Sequence, residues 1–272
     1  VTAVTLAQGL ARKGLRTAVV DLDPQGSAPT LFGVLPDTEV DVEHTAMPLF
    51  AGEQPDLDYA FRPTYWPNID LVCAAPLLFG AEFALPARQS RDPGFEFWRV
   101  LDRGLDNARE KYDVIVIDTP PSLSYVTINA LLAADGLIVP LPPSAIDFAS
   151  SAQFWELFSD LTNQLLRNRG QDKSFEFIDV LLSRVESSDT ASTVVRQWIL
   201  EAYGEKVLPI EIPKTSVTST AGAEFGTVYD LARGSINSKT FDRARDAYDR
   251  MCELVEQQVQ AVWALQLNEM GA

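Results

Sequence analysis

The chain has 272 residues, of which 22 are lysine or arginine and 38 are aspartate or glutamate, giving a formal net charge of −16 with one histidine, His44. Hydrophobic residues make up 46% and charged residues 22%, which excludes general disorder and fibrous repeats. Two isolated cysteines, Cys73 and Cys252, exclude a disulfide framework and cannot complete a four-ligand zinc site, and no apolar run approaches the roughly 18 residues of a membrane span.

Val1, Val4, Ala7 and Ala11 recur at helical spacing with Leu6 and Leu10 beside them, so residues 1–13 read as a helix that Gly14 is placed to end. RTAVVDLDPQG (16–26) reads as a β-branched strand closing on two aspartates, Asp21 and Asp23. Residues 29–67 are rich in Pro, Asp and aromatics and predict irregular structure with short helices. NIDLVCA (68–74) is a second strand, and Phe95, Trp98, Leu101 and Leu105 predict one helix over 95–111. YDVIVIDTPP (112–121) is the clearest strand. Its apolar run Val114–Ile117 predicts burial on both faces, as in a parallel sheet.

Beyond it, helices are expected over 124–134, 146–167, 190–203 and 239–265, and strands over 136–143, 175–183 and 206–212. Strands that alternate with helices in this way predict an α/β fold, a mainly parallel twisted sheet flanked by helices, in one domain. Ligands on such sheets bind at the carboxyl ends of the strands, and that is where Asp21, Asp23 and Asp118 stand. Any one of them reads first as a turn or cap residue. Together, on strands of one sheet, they favour Mg²⁺ held beside phosphates, directly or through water. No GxGxxG follows a strand, which argues against a dinucleotide dehydrogenase. His44, in the acidic run DVEH, reads as a surface residue, and Phe148, Trp155 and Phe158 read as core.

VVDLDPQGSA resembles the DxDPQG loop of the ParA family of partition ATPases, which belong with the MinD and nitrogenase-iron-protein group of P-loop ATPases. YDVIVIDTPPSLS resembles that family's Walker B strand and following switch. LAQGLARKGLR, YWPNIDLVCA, TINALLAADGLIVPLPPSAIDFASSAQFWELFSDL and PKTSVTSTAGAEFGTVYDLARGSINSKTFDRARDAYDRM resemble its plasmid-partition branch. The resemblance implies one ParA-type ATPase domain over 1–272, with ATP and Mg²⁺ as cofactors. It also places the family's first strand, its phosphate loop and a helix-turn-helix region ahead of Val1. The residues given are therefore expected to bind and hydrolyse ATP poorly.

The resemblance assigns the water-positioning role to Asp23, water-mediated Mg²⁺ contacts to Asp21 and Asp118, and the start of the phosphate-binding helix to Val1. It implies that Pro24, Gln25 and Gly26 shape one switch and that Thr119 and Pro120 sense the γ-phosphate. Arg184, Pro213 and Lys214 would lie near the adenine. The implied partners are a second copy in an ATP-dependent dimer, a ParB-type centromere-binding protein and non-specific double-stranded DNA, in a cytoplasmic, nucleoid-associated setting. The DNA candidates are Arg233, Lys239, Arg243 and Arg250, in a stretch, 233–250, of local net charge +2. Spacing alone reads that stretch as a solvated helix face.

Other readings are a nucleotide-switched transcriptional autorepressor and a MinD-like membrane positioner. The second would need a basic amphipathic C-terminal helix, and VWALQLNEMGA carries no basic residue. An iron–sulfur carrier would need paired cysteines, which the sequence lacks.

Overall fold

The computed structural model describes residues 1–166, 173–186, 189–234 and 237–270, so the last residue of the helix expected over 146–167 lies outside the described residues. The chain forms two compact units, Val1–Ala134 with Ala221–Leu231, and Asp135–Thr220 with Ala232–Ala272.

The first unit runs α1 (Thr2–Arg12), β1 (Thr17–Asp21), α2 (Ser27–Leu31), α3 (Pro36–Glu39), α4 (Met47–Ala51), β2 (Arg62–Pro63), β3 (Ile69–Val72), α5 (Ala81–Arg91), α6 (Val100–Gly104), α7 (Asp106–Lys111), β4 (Val114–Asp118) and α8 (Tyr125–Ala133). Its sheet has the order β2-β3-β1-β4. β1 is parallel to β3 and β4, and the short β2 is antiparallel to β3. The amphipathic face of α1 (Val4, Ala7, Ala11) packs with Val19, Ile69 and Leu71 of the sheet. The alternation of β-branched strand and short helix thus buries one continuous apolar layer.

The second unit holds β5 (Gly136–Leu141), α9 (Ala145–Leu166), β6 (Phe177–Val185), α10 (Thr190–Tyr203), β7 (Val207–Pro213) and α12 (Ser238–Met270). β5, β6 and β7 are parallel, in that order, over a core of Leu141, Val180, Leu182, Val195, Ile199 and Val207. α11 (Ser216–Ala223) leads the chain into the 221–231 segment.

Four elements depart from the expectations. The helix expected over 95–111 is broken into a 3₁₀ turn (Phe97–Arg99), α6 and α7. The Gly104 carbonyl is diverted to the Leu57 N–H at 2.9 Å, and a Cβ at Gly104 would come within 2.6 Å of a Leu49 methyl. Close backbone packing interrupts the ladder there. α5 lies where no element was expected, because Pro86 interrupts its pattern, and α11 was likewise unexpected. Val114–Ile117 are half-buried rather than buried on both faces, and among the described residues β4 pairs with β1 alone.

The 221–231 segment is fastened to the first unit by the Asp230 carboxylate. Asp230 Oδ1 accepts the Tyr65 hydroxyl and the Trp66 indole N–H, each at 2.8 Å. Its Oδ2 accepts the Thr227 N–H at 2.7 Å and the Gln8 side-chain N–H at 3.1 Å. Gln8 and Thr227, both buried, complete the network as the Thr227 hydroxyl donates to Gln8 Oε1. Arg12 stacks over Tyr229 at 4.7 Å. Burial and then the bond to Asp230 push the Tyr65 phenol pKa up. Hydrogen bonds to a charged acceptor are stronger than neutral ones, and removing the acceptor strands buried donors. Asp230→Ala is expected to lower unfolding stability by about 2–3 kcal/mol, measured by urea denaturation. A loss within about 0.5 kcal/mol, the usual surface value, would show that the network adds little.

Candidate nucleotide and metal site

β1 and β4 run side by side in register, so their last residues, Asp21 and Asp118, sit next to one another at the carboxyl edge of the sheet. Asp21 is fully buried. Its Oδ1 accepts the Asp23 N–H and its Oδ2 the Ala28 N–H, each at 2.9 Å. The carboxylate therefore clamps both ends of the loop from Leu22 to α2. Within it Asp23 Oδ1 accepts the Gln25 N–H at 3.0 Å, and the Asp23 carbonyl accepts the Gly26 N–H at 2.8 Å. Asp23 Oδ2 meets no protein donor among the described residues, which leaves it available to a ligand or water.

Gly26 holds the turn in a left-handed conformation (φ 61°), and a Cβ there would lie 2.5 Å from Pro36 Cγ and 2.9 Å from the Ala74 carbonyl. Only glycine meets both demands. Pro24 is half-buried and Gln25 exposed.

Burial, then repulsion from Asp118, push the Asp21 carboxyl up to about 7 from its ordinary 3.8. Asp118 is raised as well, chiefly by burial, with repulsion from Asp23 adding to it. The Val1 carbonyl accepts the Thr5 N–H and hydroxyl, and α1 packs against β1 and β4. Val1 offers no side-chain cap, so the first N–H groups of α1 are left to other partners. Thr119 and Pro120, half-buried, follow Asp118. The first unit therefore collects Val1, Asp21, Asp23, Pro24, Gln25, Gly26, Asp118, Thr119 and Pro120 around one strand edge. Among the described residues no three His, Cys, Asp or Glu side chains converge as a direct metal shell. Two raised carboxylates beside a helix N-terminus suit a cation reached through water and an anion on the helix.

The second unit carries the remaining expected residues. Arg184, Pro213 and Lys214 meet at the ends of β6 and β7, where Val185 pairs with Pro213 and the Val185 carbonyl accepts the Lys214 N–H at 3.0 Å. Arg184 is exposed with φ 53°, at an irregularity in the ladder, and Lys214 pairs with Glu186. On α12, Lys239, Arg243 and Arg250 share one exposed face at i, i+4 and i+11, with Asp246 among them. Arg250 is paired with Glu253 at 2.9 Å, and Arg233 with Asp242 at 2.8 Å. Lys239 and Arg243 make no ion pair among the described residues.

His44 is half-buried and caps a 3₁₀ turn, its Nδ1 accepting the Asp41 N–H at 3.3 Å. Phe158 is buried while Phe148 and Trp155 are half-buried. Sequence reasoning missed the Ala28 N–H as a partner of Asp21, and Glu82, whose carboxylate accepts the Tyr125 and Val126 N–H groups at 3.0 and 3.2 Å. Neither lies in a local pattern that could have announced it.

A raised carboxyl binds in the folded state a proton that the unfolded chain releases near pH 4. Its contribution to stability is present below that pH and is lost as the pH rises through about 7. The melting temperature is expected to fall by roughly 5 °C between pH 5 and 7.5, and Asp21→Asn should remove most of that slope. An equal slope in parent and variant would show that Asp21 is ionised throughout.

Residues 1–169 match the AAA domain family AAA_31. The chain is 31% identical over 272 residues to protein SopA of Escherichia coli K12, covering 96% of this chain and 68% of that protein. It is 30% identical over 238 residues to the chromosome partitioning protein ParA of Caulobacter vibrioides, covering 85% and 82%. Among curated relatives matched along 96% of this chain, it spans 65% to 68% of their length. A solved structure of cobyrinic acid a,c-diamide synthase from Mycobacterium smegmatis, with bound ADP and magnesium, has a TM-score of 0.69 and 25% identity over 95% of this chain and 89% of that one. With its α/β fold, the aspartate-ended strands and these matches, the chain belongs to the ParA/MinD-type AAA domain family.

Proposed function

We propose that this chain is the ATPase of a DNA-partition system, in which ATP binding drives dimerisation and non-specific DNA binding and hydrolysis ends them. The observation that carries the reading is the in-register pair Asp21 and Asp118 at the strand edge, with the Asp23 loop clamped onto Asp21. Phosphoryl transfer needs positioning and charge neutralisation more than strong base chemistry; the clamped loop supplies positioning, and neutralisation would come from a cation held by the carboxylates.

Asp118 and Asp21 would hold Mg²⁺ through water, and bound Mg²⁺ supplies the charge that stabilises the phosphates. The α1 N-terminus, beginning at Val1, directs its unpaired N–H groups at phosphate oxygens. Asp23, held by its own turn, orients the attacking water with its unbonded oxygen. Pro24, Gln25 and Gly26 shape that turn, and Thr119 and Pro120 read the terminal phosphate. Arg184, Pro213 and Lys214 contribute to the adenine end. The partners are a second copy, a ParB-type centromere-binding protein that stimulates hydrolysis, and double-stranded DNA, on the nucleoid in the cytoplasm. Lys239 and Arg243 contact DNA phosphates, with Arg233 and Arg250 reaching DNA only by leaving their carboxylate partners. No helix among the described residues is long and apolar enough to cross a membrane, and residues 251–272 carry no lysine or arginine that would hold an amphipathic helix to an acidic bilayer.

The test is retention of the full-length protein on DNA with ATP, ADP or no nucleotide at moderate salt, with Asp23→Ala beside the parent. ATP-dependent retention, prolonged in Asp23→Ala, is the expected result. ATP bound without retention under any condition would overturn the DNA reading. Lys239→Ala with Arg243→Ala should lower the slope of log affinity against log salt by about 2. An unchanged slope would remove that face from the DNA interface.

A further inference from the structure

The loop 119–124 joins the end of β4 to α8 and carries both Thr119 and Pro120. It has little of its own to hold it. Two of its residues, Pro120 and Pro121, have no N–H, and its one internal backbone bond runs from the Ser124 N–H to the Ser122 carbonyl at 3.1 Å. Its path is set by its two ends. At the first, Thr119 follows directly on Asp118, the last residue of β4, which the sheet holds in register with Asp21.

At the second, α8 begins with backbone donors that lack partners within the helix. Ser124 Oγ accepts the Thr127 N–H at 3.2 Å. The N–H groups of Tyr125 and Val126 go to the two oxygens of Glu82, at 3.0 and 3.2 Å. Glu82 is 43 residues away from Tyr125, half-buried, in the first turn of α5. A charged, bidentate acceptor fixes both the height and the rotation of the helix start, which a single neutral cap does not. The negative charge also complements the α8 dipole. The neighbouring Phe83 is 67% exposed, its ring edge-on to Phe79 at 5.6 Å.

We propose that Glu82 is a positioning residue for the phosphate-reading loop: its carboxylate sets where 119–124 enters α8, and so where Thr119 and Pro120 stand beside Asp118. The proposal rests on the reading of Thr119 and Pro120 given above. Both Glu82 oxygens accept backbone N–H groups of α8. The residue acts through the backbone of α8.

The test compares full-length parent, Glu82→Gln, Glu82→Ala and, as a neighbouring control, Phe83→Ala. Amide hydrogen exchange is followed over 119–127, and ATP turnover is measured alongside. Glu82→Ala should raise exchange there by tenfold or more and leave the strands unchanged. Its kcat should fall at least fivefold with KM moved less than twofold. Glu82→Gln, which keeps one oxygen acceptor, should fall between, and Phe83→Ala should match the parent. Unchanged exchange over 119–127, a rise of equal size throughout the protein, or exchange altered with kcat intact would each overturn the positioning role. Should the parent itself turn over no ATP, the ATPase reading fails. The local exchange change in Glu82→Ala would then still establish that Glu82 holds the loop, as a structural anchor only.

Discussion

A carboxylate with no access to solvent, Asp21, is the point from which the first unit's site is built. Its two oxygens hold the backbone on either side of a four-residue excursion, at Asp23 and at Ala28. Backbone N–H groups aimed at a buried acceptor cost little once paired and much if left unpaired. The loop between them has few other ways to satisfy its donors and is therefore confined. Gly26, pressed against Pro36 and the Ala74 carbonyl, closes the turn where a side chain would not fit. Asp23 then presents one oxygen to its own turn and the other outward. The same burial that makes Asp21 a firm clamp raises its pKa, and the neighbouring Asp118 raises it further. Such a pair is electrostatically unsatisfied in the absence of positive charge. A helix N-terminus alongside offsets part of this, and a hydrated divalent cation would offset more.

Much of that arrangement was legible in the sequence. Continuous β-branched runs ending in aspartate marked β1 and β4, because a strand buried in a parallel sheet has few other compositions open to it. The alternation of period 2 and period 3.6 segments marked the fold class. What escaped reading depended on partners far away in the chain. Gly104 breaks a helix because its carbonyl is taken by Leu57 and its α-carbon is pressed by Leu49, neither of which any local pattern contains. α5 was hidden by Pro86, which lies inside the helix, where proline removes a ladder hydrogen bond and argues against helix in isolation. β4 looked central because its residues are apolar, while among the described residues it pairs with β1 alone.

The site divides in the same way. Asp21, Asp23, Gly26 and Asp118 announce themselves by residue type and place. Ala28, Glu82 and Asp230 do not, since each works through a backbone amide or through groups brought from 43 to 222 residues away. Carboxylates recur in these supporting places. In a chain of net charge −16, acidic side chains are the commonest strong acceptors at hand, and Asp21, Glu82 and Asp230 each find buried or half-buried donors. The acidity that looks unfavourable for the proposed DNA binding is thus partly internal to the fold.

That bears on how a negative protein could hold a polyanion. Charges more than about 10 Å apart are largely screened at moderate salt, so a net −16 spread over the surface matters less than what lies within a Debye length of the phosphates. On α12 that local balance is close. Arg250 and Arg233 are already engaged by carboxylates, and Asp246 lies on the same face as Lys239 and Arg243. Two unpaired cations on one helix make a weak contact when single. Two copies of the chain brought together would double the number of phosphates neutralised, and affinity rises steeply with that number. A nucleotide-dependent dimer would then convert a marginal electrostatic surface into a switch, bound when paired and free when not. In such a design the weakness of each single surface is what makes release follow promptly from hydrolysis.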